Sequence, residues 1–370
     1  MANPVVIIAE SGGSLARAAR RAGYEPFVID TLGTSGEPGA VCATARFPFG
    51  VQDLLEQAPP GAPILLGAPM ENHPDLVETL IRDRPLLGAP VAAMKKVRHP
   101  YALPSLPPYR GLKLCKTKTR ASFASRLARL AFGVMGKRYL LKPRFEAGGR
   151  GIDAWSPPAR IGDTHDLQQF VKGAPMSAVF HADGWSCRFL GLTEMAVGEP
   201  AMGAPAFAWC RSVGPTKPSN KAKAAVEHLG VVLTQRHDLR GVFGVDLIMD
   251  WRGNLWPIEV NPRYTESMEM IELATGRSVL GPGGPAESKG KSKPMLHGKA
   301  AVFAKREGVI GTLPEGCVDA VPVGTKVRPG DRVCCVLAAA KSQRACEAAL
   351  QAQVDAVYAA LGSVSSEHEA

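Results

Sequence analysis

The chain has 370 residues, of which 45% are hydrophobic, 21% charged and 6% aromatic, with a net charge of +10. At roughly 150 residues per domain the length holds two or three packed domains, and the apolar content excludes a wholly disordered chain. No apolar run nears the roughly 20 residues that span a bilayer, and MANPVVIIAE lacks the basic and long apolar stretches of a signal peptide, so a soluble cytoplasmic protein with no membrane partner is expected.

In chain order, the β-branched run Val5 to Ile8, the capped turn Ser11-Gly12-Gly13-Ser14, a helix from Leu15 to Ala22 and a strand from Pro26 to Asp30 read as a βαβ unit of Rossmann-like topology. The loop does not match G-x-G-x-x-G, so no dinucleotide site is assigned to it. A strand at Ile64 to Gly67 leads into Glu71-Asn72-His73-Pro74-Asp75 and a helix through Ile81, which predicts an open parallel sheet with ligand groups at its strand C-terminal ends.

From Lys95 to Arg150, fifteen Lys or Arg face one acid, Glu146, so this segment carries more than the whole net charge. It is a nucleic-acid surface, a site for charged small anions such as nucleotides, or a solvated helix face. Its scattered aromatics form no RNA-reading cluster, which makes nucleic acid the less expected partner. Prolines at 100, 104, 107 and 108 predict a connector, and Phe123, Leu127, Leu130 and Ala131 space an amphipathic helix over 121–132. Beyond the central motifs, the Gly-, Pro- and Lys-rich stretch 281–294 reads as a flexible loop. Short strands follow at Ala300 to Ala304, Val309 to Ile310, Val318 to Val321 and Arg332 to Leu337, then a helix from Ala345 to Leu361 and a disordered tail from 363. The eight cysteines show no C-x-x-C pair and the eight histidines no motif spacing, so structural roles are expected for both.

Two segments carry chemistry. In the first, Tyr139-Leu-Leu-Lys142-Pro143 delivers a lysine from a strand and Gly148-Gly149-Arg150-Gly151 turns back into a strand at Ile152 to Trp155. Amides of such a loop can approach phosphate because glycine has no Cβ in the way, although a G-G-x-G turn is also an ordinary hairpin. In the second, apolar strands flank the turn Asp250-Trp251-Arg252-Gly253-Asn254, so Asp246 on one strand can lie near Glu259 and Asn261 on the other; residues 259 and 261 share a face. Either these acids sit on an exposed strand face, or they converge among apolar neighbours and need a hard cation, for which Mg²⁺ carrying nucleotide phosphates is the natural choice.

In this order the segments resemble the ATP-grasp superfamily of ATP-dependent carboxylate-amine ligases, and within it the carboligases related to biotin carboxylase. That group includes amide-forming ligases of methanofuran- and tetrahydromethanopterin-type coenzyme pathways. The likeness runs from about residue 95 to 275, and no biotinyl Ala-Met-Lys-Met site accompanies it. The fold it implies is mixed α/β and α+β: a Rossmann-like domain over 1–98, a two-part ATP-grasp core over 99–280, the loop 281–294, and a small β-rich region with a C-terminal helix over 295–362. The resemblance makes Lys142 a phosphate-contacting and catalytic lysine, Gly148, Gly149 and Gly151 a flap over ATP, and Gln168, Gln169, Phe170 and Val171 the hinge that reads adenine, with Gln168 as the polar side chain. Asp246, Glu259 and Asn261 become ligands of Mg²⁺, for which Mn²⁺ can substitute, and Arg263 the catalytic arginine beside the transferred phosphate. Lys95, Lys96 or Arg98 is the upstream phosphate cation. Glu71 and Asn72 resemble an acidic turn that meets substrate or nucleotide, and Arg240, Tyr264, Glu266 and Glu269 are close enough in sequence to touch substrate, unless the two glutamates merely face solvent.

Two positions depart from the family pattern: Glu146 stands where many members have a small residue, and Asp246 where several use Glu. The implied reaction turns a carboxylate into an acyl phosphate and joins it to an amine, both small-molecule partners, in a protein that can be a homodimer. The alternative is a non-catalytic nucleotide- or RNA-binding protein that uses the basic 95–150 segment.

Overall fold

A computed structural model describes residues 3–33, 41–44, 49–119, 138–156, 161–281 and 295–363. The expected helix at 121–132, nearly all of the loop 281–294 and the tail beyond 363 lie outside these residues. The N-terminal sheet is parallel, in the order β3(Val41–Thr44)-β2(Glu25–Asp30)-β1(Pro4–Ala9)-β4(Ile64–Leu66). Strand β1 is apolar on both sides because helices cover both faces of a parallel sheet, and Val5 to Ile8 are fully buried. Helix α1 (Gly13–Arg21) starts from Gly12 with no side-chain cap, contrary to the serine cap expected there. A Cβ at Gly12 would lie 2.3 Å from Val28 Cγ1, so close packing on β2 decides the residue. Helices α2 (Val51–Leu55), α3 (Pro74–Leu80) and α4 (Val91–Val97) complete this part.

The main sheet is antiparallel and seven-stranded, in the order β13(Leu255–Asn261)-β12(Arg240–Met249)-β9(Ala174–Asp183)-β10(Cys187–Val197)-β11(Trp209–Thr216)-β14(Leu296–Phe303)-β17(Arg332–Ala340). Its faces are covered separately. Phe180 stacks on Phe243 with ring centroids 4.9 Å apart, and both pack with α5 (Asn220–His237). Val179, alternating to the other side, packs with α1 and with Met268 and Ile271 of α6 (Glu266–Thr275). A small antiparallel sheet, β5(Thr117–Thr119)-β8(His165–Gln169)-β6(Tyr139–Pro143)-β7(Asp153–Trp155), has its own core of Tyr139, Trp155, Ile161 and Leu167.

The C-terminal residues extend this architecture. Strands β14 and β17 lengthen the main sheet, α7 (Gln343–Ser363) covers them, and only the short pair β15 (Gly308–Val309) and β16 (Lys326–Val327) stands apart. The strand expected at Val318 to Val321 is a single bridge from Val318 to Cys335, because Asp319 adopts a left-handed φ of 51° that breaks the extended path. Among the described residues no helix is long and apolar enough to cross a membrane.

A buried charge cluster joins these parts. Lys299 of β14, fully buried, places Nζ 2.6 Å from Glu266 Oε2 and 3.1 Å from Glu269 Oε2, and donates to Asp319. Arg17 of α1 reaches Glu269 at 2.5 Å and Asp319 at 3.0 Å. The three acids lie close enough to surround a metal ion, but the Lys299 ammonium and the Arg17 guanidinium already occupy their oxygens. Glu266 and Glu269 are thus held inward, correcting the solvent-facing alternative. Burial alone would raise the Glu269 carboxyl, but Lys299 and Arg17 outweigh it and hold it at about 2, and the same cations depress Asp319. Carboxylates depressed in the fold stabilise it above their unfolded values near 4, and that contribution is lost as pH falls towards 2. Stability measured by denaturant titration should therefore decline between about pH 5 and 2. Lys299→Met, leaving buried acids unpaired, should cost about 3–5 kcal/mol, and a loss under 1 kcal/mol would show the cluster to be energetically idle.

Candidate active site

Between the small sheet, the main sheet and the N-terminal part lies a cleft of about 710 Å³. Glu259 of β13 lines it, and strand register sets what lies beside Glu259: Asp246 on β12 pairs directly with Glu259 and with Ser177 on β9, so the three side chains share a face with Asn261. Ser177 Oγ donates to Asp246 Oδ1 at 2.9 Å and Asn261 Nδ2 to Asp246 Oδ2 at 3.0 Å. Glu259 lies between two cations: Arg98 Nη1 is 2.5 Å from Oε1 and Lys142 Nζ 3.3 Å from Oε2. Burial opposes its ionisation, yet Lys142 and Arg98 drive its pKa far below the carboxylate range. Asp246 behaves oppositely, because burial and the Glu259 charge push it up to about 6. A carboxyl so disfavoured as an anion, beside a second carboxylate and an amide on one face, is an oxygen-only donor set that a hard divalent cation would neutralise, and the residues fit Mg²⁺.

The three candidate upstream cations separate by geometry. Helix α4 buries Met94 and Val97, which leaves Lys95 at the cleft rim paired with Asp75 and Glu78 at 2.9 Å each, and Lys96 exposed; Arg98, at the helix C-terminus, turns into the cleft. Arg263 follows β13, with Nη2 3.3 Å from Asn261 Oδ1 and 2.7 Å from Glu71 Oε1. On β8, side-chain alternation turns Gln168 and Asp166 to the cleft, and Gln168 Nε2 donates to the Ile258 carbonyl at 3.0 Å. Gln169, Phe170 and Val171 do not line the cleft; Gln169 Oε1 accepts from the Lys116 amide at 3.4 Å and the Phe170 amide donates to the Arg138 carbonyl at 2.8 Å. Arg240, six residues before Asp246 at the start of β12, is about 20 Å along the strand from it at ~3.3 Å per residue and pairs at the surface with Asp238 at 2.9 Å. It is not brought to the site. Tyr264 points away as well, its hydroxyl donating to Glu272 at 2.8 Å.

The glycine loop closes over the cleft from several sides. Gly148 O accepts from the Trp209 amide at 2.9 Å, Asn72 Nδ2 donates to Glu146 O at 3.0 Å, and Arg150 pairs with Glu10 at the end of β1. The Glu146 side chain, half-exposed, lies 3.6 Å from Arg150 Nε. Ser177 and Glu10 had no sequence signal, since each contact depends on strand order or on a loop 140 residues away.

Residues 110–267 match the family model of the ATP-grasp domain. The whole chain superposes on biotin carboxylase from Campylobacter jejuni with a TM-score of 0.66 at 12% identity, covering 94% of this chain and 90% of that one. L-amino acid ligase from Bacillus licheniformis gives 0.66 at 16% identity, with 96% and 98% covered. Carboxyaminoimidazole ribonucleotide synthase from Aspergillus clavatus gives 0.67 at 14% identity, with the same coverage. A comparison with curated protein sequences returns no match. Residues 110–267 are thus similar to an ATP-grasp domain, and the fold of the chain is that of these solved structures.

The loop glycines differ in what they tolerate. A Cβ on Gly149 (φ 78°) would lie 2.0 Å from Phe207 O, whereas one on Gly148 (φ 65°) meets open space. Gly148→Ala should cost only the left-handed strain of about 1–2 kcal/mol, while Gly149→Ala must displace the loop. Amide hydrogen exchange over 146–151 should quicken strongly in Gly149→Ala and little in Gly148→Ala; equal protection in the two would show that Gly149 is not packed against Phe207.

Proposed function

We propose that the protein is an ATP-dependent carboxylate-amine ligase that works through an acyl phosphate. The observation that carries this reading is the meeting at cleft-lining Glu259 of Arg98 from the end of α4 and Lys142 from β6, with Asp246 on β12 paired opposite it, Asn261 two residues on along β13 and Arg263 just beyond that strand. Asp246, Glu259 and Asn261 would hold Mg²⁺, which when bound offsets charge on the nucleotide phosphates. Arg98 and Lys142, now spent on Glu259, are placed to transfer to phosphate oxygens; Gln168 faces the cleft as an adenine contact, and the loop through Gly148, Gly149 and Gly151 covers the phosphates. A substrate carboxylate oxygen attacks the γ-phosphorus, the bond to ADP breaks, and Arg263 neutralises the acyl phosphate that results. An amine then forms the C–N bond and phosphate leaves. No nucleophilic side chain is required.

The finer assignment, amide formation in a methanofuran- or tetrahydromethanopterin-type pathway, comes from the sequence resemblance alone and belongs to this proposal. The nucleic-acid alternative gains nothing from the structure: five cations of the basic segment, Lys95, Arg98, Lys142, Arg144 and Arg150, line the cleft and are paired with acids.

The direct test is an ADP-release screen of acid and amine pairs, beginning with glutamate and aminomethylfuran- or pterin-like acceptors; ADP should appear only with the correct pair. Glu259→Gln or Asn261→Ala should reduce Mg²⁺-dependent turnover by at least about 100-fold with the fold retained, and full activity in either would remove the metal assignment. Lys142→Ala should raise the KM for ATP; unchanged calorimetric ATP binding would make Lys142 structural.

A further inference from the structure

The turn Met70–Asn72, which follows β4, aims two residues at the cleft beside Arg263, and both are almost wholly buried: Glu71 is 1% exposed and Asn72 6%. Arg263 neutralises one Glu71 oxygen from 2.7 Å. Among the described residues neither Glu71 oxygen accepts a hydrogen bond, Oε1 meeting Arg263 only as an ion pair, and Asn72 Oδ1 accepts none either. The Asn72 amide is oriented by its donation to Glu146 O at 3.0 Å, which leaves the carbonyl oxygen, an acceptor, for the cleft. Buried polar atoms without partners are costly, and here both lack the same thing, a donor. A second carboxylate would be repelled by Glu71, whereas an ammonium offers up to three N–H groups and a compensating charge.

We propose that Glu71 and Asn72 form the receiving site for the nitrogen nucleophile, a primary amine, and that Glu71 is the base of the second half-reaction. This rests on the ligase reading above. The amine nitrogen donates to Glu71 Oε2 and Asn72 Oδ1 while the acyl phosphate lies against Arg263. The Glu71 carboxylate first takes one proton from the bound ammonium, which frees the nitrogen lone pair to attack the acyl carbon and form the C–N bond. The C–O bond to phosphate breaks with its electron pair leaving on phosphate, which carries away the second proton shed by nitrogen as hydrogen phosphate. Arg263, touching Glu71 on one side and Asn261 on the other, sets the distance between the amine and the acyl phosphate.

The probe is n-butylammonium, titrated by calorimetry into the full chain saturated with Mg²⁺ and the non-hydrolysable analogue AMP-PNP, with butyrate as the control of opposite charge. Wild type should bind n-butylammonium, Glu71→Gln should weaken binding by about 10- to 100-fold, and Asn72→Leu, which removes the second acceptor, should weaken it as well, by a smaller factor. Equal affinity in wild type and Glu71→Gln, or preferential binding of butyrate, overturns the proposal. So does a wild type that binds Mg²⁺ and AMP-PNP but no n-butylammonium. If Glu71→Gln does not fold, a wild-type crystal soaked with n-butylammonium decides: nitrogen within hydrogen-bond distance of Glu71 Oε2 and Asn72 Oδ1 supports the site, and nitrogen elsewhere or no density there overturns it. A wild type that does not bind Mg²⁺ and AMP-PNP at all sinks the ligase reading, and this proposal with it.

Discussion

Glu259 is the point at which three layers of the molecule are tied. Its strand belongs to the main sheet, Lys142 reaches it from the small sheet, and Arg98 from the end of a helix in the N-terminal part. Two cations on one carboxylate hold the cleft walls at a fixed spacing, and the pairing is electrostatic rather than part of the packed core. For the neighbouring Asp246, burial and the Glu259 charge outweigh the hydrogen bonds from Ser177 and Asn261, so its pKa moves the other way. One strand pair therefore presents an acid already neutralised and an acid still in need of a cation.

Much of this was legible in the residues. The β-branched run of β1, the alternation around Asp250 and the lysine before the glycines mark local conformations that side-chain sterics and periodicity dictate. Asp246, Glu259 and Asn261 could be placed on one face because a hairpin fixes register over a short separation. Ser177 could not, since it meets Asp246 only through the order β13-β12-β9, and nothing local encodes which strand lies next to β12. The same limit explains Arg240: nearness in sequence to the metal strand suggested a substrate contact, but a strand carries its ends apart at ~3.3 Å per residue. The rank among Lys95, Lys96 and Arg98 required the helix phase, which three adjacent basic residues do not disclose.

The glutamates of α6 make a related point. Read as a helix following the strand of Glu259, Glu266 and Glu269 resemble ordinary surface charges, and it is Lys299, thirty or more positions on, together with Arg17 of α1 that turns them inward. Buried ion pairs are poor sources of stability compared with apolar packing, yet they are demanding about arrangement, since each partner left alone is penalised. Helix α6 is thereby fixed against α1 and β14, and it begins three residues after Arg263.

The place of β14 and β17 in the main sheet also bears on synthesis. The strands that form the cleft floor leave the ribosome before Lys299 does, and until residues 296–340 follow, β11 has an open edge and the carboxylates of α6 lack their lysine. Pairings of such long separation form late and expose unpaired strand edges meanwhile. Residues 296–340 therefore supply, at one stroke, the strand that covers the edge of β11 and the lysine that the carboxylates of α6 require.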